Sequence, residues 1–402
     1  MSDAQIILSY SRNRGIIAIA SGEKYASAGK ALVESGFQRG EAGVYRLPTE
    51  DPDVSRATVA GLVRRAETHG ATVTTSSQRF IGDVADDIAR LLPGPWEAQV
   101  ELYSHPVWQG DLVPWLWDSG ELARAVQSER IPYAATLTLT EGTSETTLLL
   151  AERPGHQLNY SVGAFSPNPF EEGYGDPHAP ASIVLPPFPG RAAQVIAERY
   201  LPAFDRALHA RRTTAVSEAL DHIRTEHRTW TAMVASGRYS DATPLSFDAL
   251  GTATAQFLGT AWGEFLTVAD HAPALLARCR PTITPWPEDA EALAQLASAL
   301  TDAEAVREDL ACGTPLAPAE RNARTWPAVE TWLTYGESFL RQARAAIPPP
   351  RDEADWAELE EKARMVTRAG WWIDQRDAEG PDLLELLDAA TEADRGTENP
   401  FR

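Results

Sequence analysis

From Thr213 onward the chain has no stretch of alternating apolar and polar residues, and its apolar positions recur at intervals of three and four instead. That is the spacing of a helix face and excludes a half-buried strand. Val216, Leu220, Ile223, Trp230 and Val234 share one such face, and Phe247, Leu250, Phe257, Leu258, Trp262 and Phe265 share the next. After a break at Pro281 to Pro287 the pattern resumes with Leu293, Leu296, Leu300, Ala303 and Leu310, where Glu288 and Asp289 suit a helix N-terminus. Pro327 is read as the first turn of a further helix carrying Val329, Trp332, Leu333, Phe339 and Leu340, ended by Pro348 to Pro350. Segments 356–372 and 383–387 supply two more. Residues 213–402 are therefore expected to form an all-α domain.

Upstream the periodicity shifts to that of strands. Tyr133 to Thr140, Thr146 to Glu152 and Leu158 to Phe165 are rich in Thr, Val and Leu and are joined by turn-forming residues, which predicts an antiparallel meander. SIVLP at 182–186 should add to it, and a helix over 191–211 should pack on it through Val195, Ile196, Tyr200, Leu201, Phe204 and Leu208. Pro202 lies inside that stripe and predicts a kink or a break. This region, 96–212, is read as a second domain.

The first 95 residues read β-α-β-α-β. A short apolar strand at 16–20 leads to a helix over 23–35 that Gly36 ends in left-handed conformation, and Phe37 to Leu47 form a strand or hairpin. A second helix over 54–69 stops at Gly70, before the strand-like ATVTTS. The run GFQRGEAGVYRLP, followed by a helix and HGATV, resembles a small α/β module of uncharacterised actinobacterial proteins carried by plasmids and integrative elements. The resemblance covers about a sixth of the chain and implies a mobile-element or genome-maintenance setting; no site residues come with it. The expected class is thus α+β: a small N-terminal α/β module (1–95), a central meander with a packed helix (96–212) and an acidic helical domain (213–402). A chain of 402 residues exceeds the roughly 250 to 300 at which one core stops growing.

Charge is distributed unevenly among these regions. Residues 1–95 hold 11 basic and 11 acidic side chains, 96–212 hold 8 and 14, and 213–402 hold 17 and 32, for a net charge of −21. The acidic half repels a phosphate backbone, so neither nucleic acid nor anionic lipid is expected to coat it. No apolar run reaches the length of a membrane span or a signal-peptide core, and a cytoplasmic protein is expected. Cys279 and Cys312 are expected to stay reduced.

Catalytic and cofactor motifs are scarce. Neither G-x-G-x-x-G nor G-x4-G-K-[ST] occurs, and Ser21-Gly22-Glu23-Lys24 is only an approach to a phosphate turn. His222 and His227 are five apart and fail the i,i+4 geometry of a zinc helix. No nucleophile elbow is present, and no cofactor is expected. Trp96, Trp108, Trp115 and Trp117 form an aromatic segment with no Lys or Arg between 96 and 123, which disfavours base stacking there and favours a protein partner or a seam between cores. Trp108, Trp115 and Trp117 are the candidate partner-binding residues, with Trp115 and Trp117 facing the same side if they lie on one strand. The leading expectation is a non-enzymatic interaction or scaffold protein. The alternative is a nucleic-acid-associated accessory factor whose weak DNA contacts come from Arg12, Arg14, Arg64 and Arg65.

Overall fold

The computed structural model describes residues 3–346 except 49–50, 77–78, 141–145, 153–159, 171, 240, 282–283 and 313–317. The expected helices beyond Pro350 fall outside the described residues. The architecture is α+β and divides into two compact units, one running to Phe204 and the other beginning at Asp205.

The first unit opens with a hairpin of β1 (Gln5–Ser11) and β2 (Gly15–Ser21), in register through Ile7 and Ile19. Its turn is closed by Gly15 at φ +69°, where a side chain would be strained. Next come α1 (Tyr25–Glu34), the two-residue strands β3 (Gln38–Arg39) and β4 (Tyr45–Arg46), α2 (Pro52–Thr68) and β5 (Thr72–Thr75). Strand order is β3-β4-β2-β1-β5, all antiparallel except the β1–β5 pair. Ile6, Leu8, Ile16 and Ala18 alternate along the hairpin and pack on Ala28, Ala31 and Leu32 of α1 and on Val59, Leu62 and Ala66 of α2. Gly36 and Gly70 end the two helices at φ +91° and +67°, as the sequence predicts.

A second sheet follows α3 (Ile81–Leu91). It is built from β6 (Trp96–Leu102), β8 (Tyr133–Leu139), β9 (Thr147–Glu152), β10 (Tyr160–Phe165) and β11 (Ile183–Leu185) in the order β11-β10-β9-β8-β6. The meander is the predicted one, with β6 added at its edge. Before β8 the chain also forms α4 (Pro106–Gly110), β7 (Leu116–Trp117), which pairs with β10, and α5 (Glu121–Ser128). Helix α3 lies on β6, β8 and β9 and against α6 (Pro189–Val195). The boundary expected at 95 separates two sheets, yet both lie in one compact unit: the first hairpin is bonded to α3, which lies on the second sheet, and to Arg130 beyond the boundary. Ser11 Oγ donates to Asp83 Oδ1 at 2.9 Å, the Arg12 amide to Asp83 Oδ2 at 2.7 Å, and the Arg130 guanidinium to Ser21 Oγ at 3.0 Å.

The expected break at Pro202 takes a different form. The chain stays helical, but residues Ile196–Tyr200 widen into a π-helical turn just before α7 (Leu201–Ser236). Proline has no amide hydrogen to give Glu198, and a widened turn accommodates the missing bond.

In the second unit the later part of α7 packs with α8 (Phe247–Leu276), α9 (Asp289–Ala311) and α10 (Pro318–Ala345). Leu220, Ile223, Phe265, Leu296, Trp332 and Phe339 lie in one core, and Trp332 donates its indole hydrogen to the Leu296 carbonyl at 3.3 Å. Gly336 admits α7: a Cβ there would meet Leu220 at 2.8 Å. Three expectations are corrected. Helix α10 begins at Pro318, so Pro327 is internal rather than in the first turn. Val234 and Phe247 stand at helix ends, 40% and 89% exposed, and do not join the core.

Candidate recognition cleft

Helix α1 has the sequence YASAGKALVE, in which small residues line one side. Gly29 is required there, because a Cβ would meet the Tyr45 hydroxyl of β4 at 2.6 Å. Between the two short strands the chain turns through Ala42 at φ 57° and Gly43 at φ 80°, and Gly43 in turn faces Leu102 of β6. Close approach on both sides leaves a cleft of 640 Å³, lined among others by Tyr25, Lys30, Val33, Arg39, Ser104 and Trp108.

One end of the cleft is aromatic. His105 precedes α4, and its Nδ1 accepts the Val107 amide at 3.2 Å, which fixes the imidazole. Trp108 then packs on Tyr25 with ring centroids 5.2 Å apart, and His105 lies 6.3 Å from Tyr25 and 6.2 Å from Trp108. Trp108 remains 43% exposed. The segment is held in place by Arg130, which reaches the carbonyls of Tyr103 and Ser104, and by buried Gln109, which bonds Val126, Glu129 and Ile131 backbone atoms. Burial lowers the Arg130 pKa, so these carbonyl bonds offset a desolvation cost.

Further along α1 the cleft is charged: Lys30, Glu34 and Arg39 line it, and neither cation makes an ion pair among the described residues. Glu34, on the same helix, bonds His69 at 2.9 Å, and that bond first, with Lys30 and Arg65 nearby, lowers its pKa. Residues 96–123 hold no cation of their own, but the fold brings cations from elsewhere into the cleft that Trp108 lines. The cations come from α1 and β3, far upstream of Trp108.

The other predicted site residues are dispersed. Trp115 sits in a 3-10 turn (Val113–Trp115) and is 53% exposed. Trp117 is fully buried in β7, edge-to-face with Phe204 at 5.4 Å. The expectation that the two share a face is corrected: strand alternation begins only at Leu116, and Trp117 is core, which removes it as a partner-binding residue. Arg12 is tied to Asp83 and Asp87, while Arg14, Arg64 and Arg65 are exposed and do not line the cleft. The Ser21–Lys24 turn is also occupied, since the Gly22 amide donates to Ser104 and Lys24 pairs with Asp3.

Elsewhere, His222 pairs with Glu264 at 2.9 Å and His227 stacks on Trp230 and Phe257. Among the described residues no group of three His, Cys, Asp or Glu side chains is arranged to hold a metal ion, and no helix is long and apolar enough to cross a membrane. Cys279 is buried and Cys312 exposed, both as free thiols. Comparison with protein-family models, curated proteins and solved structures finds no match for this chain.

Proposed function

We propose that this protein is a non-enzymatic recognition module whose first unit engages its partner, another protein, at the cleft beside Trp108. The observation that carries this reading is the exposure of Trp108. A tryptophan that is 43% exposed, yet braced by Tyr25 and His105 at the mouth of a cleft, is a pre-organised anchor of the kind concentrated at binding hot spots. Trp115 and Val107, also exposed, extend the apolar surface of the same unit. The resemblance of the N-terminal segment to proteins of mobile elements suggests that the partner is encoded by a neighbouring gene.

Co-purification of neighbouring gene products with the full chain tests the reading. Capture should be lost in Trp108→Ala and reduced in Trp115→Ala; capture that survives both substitutions contradicts it. A second reading, a nucleic-acid-associated accessory role, is supported by Lys30 and Arg39 lining the same cleft as the exposed Trp108 ring.

A further inference from the structure

We infer that the cleft holds a nucleoside phosphate, with the base on the exposed face of Trp108 and the phosphate between Lys30 and Arg39. The inference rests on the second reading above and names the ligand of the same site.

Three features of the cleft converge on this chemistry. Its 640 Å³ lies within the roughly 300 to 1,000 Å³ typical of small-molecule sites. Its two ends differ in character along a single helix. Tyr25, against which Trp108 packs, and Lys30 are five residues apart on α1, an axial rise of about 7.5 Å, and both line the cleft, so its aromatic and cationic groups are offset along the helix. The ground between them is small and carries hydroxyls: Ala26 and Gly29 leave room, and Tyr45 and Ser104 also line the cleft. A flat ring can stack on Trp108 whatever its base identity, and two cations at the other end can meet a phosphate dianion, since the Glu34 carboxylate that lines the same cleft is paired with His69. A purely apolar ligand would leave Lys30 and Arg39 unmatched, and a bare oxyanion would leave Trp108 unused. The first 95 residues, which supply most of the lining, carry no net charge.

Titration calorimetry on the full chain tests the inference with AMP, GMP, CMP, UMP, inorganic phosphate and a short single-stranded oligothymidylate. At least one mononucleotide or the oligomer should bind saturably and more tightly than inorganic phosphate. Trp108→Ala should weaken that binding about tenfold or more, and Trp108→Phe should restore part of it. Lys30→Ala with Arg39→Ala should weaken it and flatten its salt dependence. A preference for the oligomer identifies a strand as the source of the ligand, and a preference for mononucleotides identifies a free nucleotide; both support the inference. It is overturned if none of these ligands binds at millimolar concentration, if phosphate binds as tightly as the nucleotides, or if binding is indifferent to both sets of substitutions. Trp108-dependent capture of a protein without nucleotide binding would reject this inference while leaving the recognition reading intact.

Discussion

Glu152 in the sheet-bearing unit is partly, and Asp289 in the helical unit almost wholly, withdrawn from water, and the two units hold their charge in opposite ways. Glu152 ends β9, where the Tyr133 hydroxyl lies 3.0 Å from both its carboxylate oxygens, and burial pushes its carboxyl up to about 7. Asp289 begins α9 at 3% exposure; burial pushes it upward, but the Arg341 guanidinium and the Gln342 amide outweigh that and hold its carboxyl below the usual range. The bundle thus supplies a cation and an amide to its buried acid, whereas the sheet supplies a hydroxyl. Gln342, itself fully buried, also takes the Thr284 hydroxyl and donates to the Trp286 carbonyl, so the turn before α9 is fastened to α10 by polar bonds. A folded region tolerates a buried acid either by keeping it ionised with partners or by raising its pKa, and pH tells the two apart.

The largest effects should come from the cores themselves. Trp117→Ala in the first unit and Trp332→Ala in the second should each cost about 3 to 5 kcal/mol in denaturant unfolding, since both side chains are fully buried. Equal costs would show that the units differ in their polar groups and not in the quality of their packing. The next effect is the pH response of Glu152. Its folded-state pKa is raised, so the stability it contributes is complete at pH below about 4.5 and is lost as pH rises to about 7. That loss should amount to about 3 kcal/mol in the first unit, and Glu152→Gln should remove the slope. Asp289 has the opposite sign: its pKa is lowered, so its contribution is present at neutral pH and is lost as pH falls through the acidic range. Asp289→Ala should cost the bundle about 2 kcal/mol at pH 7, because the buried Gln342 amide loses an acceptor. If the two units melt with the same pH slope, the contrast is broken.

The units also differ in how far their sequences disclosed them. In the bundle, Leu220, Phe265, Leu296 and Trp332 lie on helix faces at local spacing, and the pattern needs no distant partner to be read. The meander was equally plain, because Thr and Leu alternate along β8. Strand β1 was hidden: Ser9 and Ser11, polar in sequence, are 2% and 0% exposed, and Ser11 is accommodated by Asp83 of α3. That bond becomes visible only once α3 is folded onto the hairpin. Pro202 was legible as a disturbance, but whether it breaks, kinks or widens a helix depends on the packing around it. Of the cleft, Leu102, Ser104 and Trp108 lay in the segment the sequence singled out, and only Trp108 was named as a candidate. Lys30 and Arg39 carry no local sign of function, and their meeting with Trp108 is set by the contacts of Gly22 and Arg130 with Ser104. The available signal was backbone permissiveness: Gly29 inside an alanine-rich helix, and glycines at 40 and 43 within one short turn, mark places where chain elements come close.

Smaller effects probe the cleft. Ala42 lines it at φ 57°, a left-handed conformation that costs a side chain about 1 to 2 kcal/mol. Ala42→Gly should therefore stabilise the first unit by about 1 kcal/mol, visible as a raised melting temperature; an unchanged or lowered value would mean that the turn is not strained.

The smallest change in stability should be the most telling. On the proposed reading Trp108 is kept at the surface for recognition, whereas Trp117, nine residues along the chain, is core. The unfolding free energy of Trp108→Ala, measured in urea against the unmodified chain, tests this directly. A loss of about 1 kcal/mol or less is expected for a side chain that is nearly half exposed. A loss of about 3 kcal/mol or more, comparable with that of Trp117→Ala, would make Trp108 part of the core and contradict the assignment of the cleft as a recognition site.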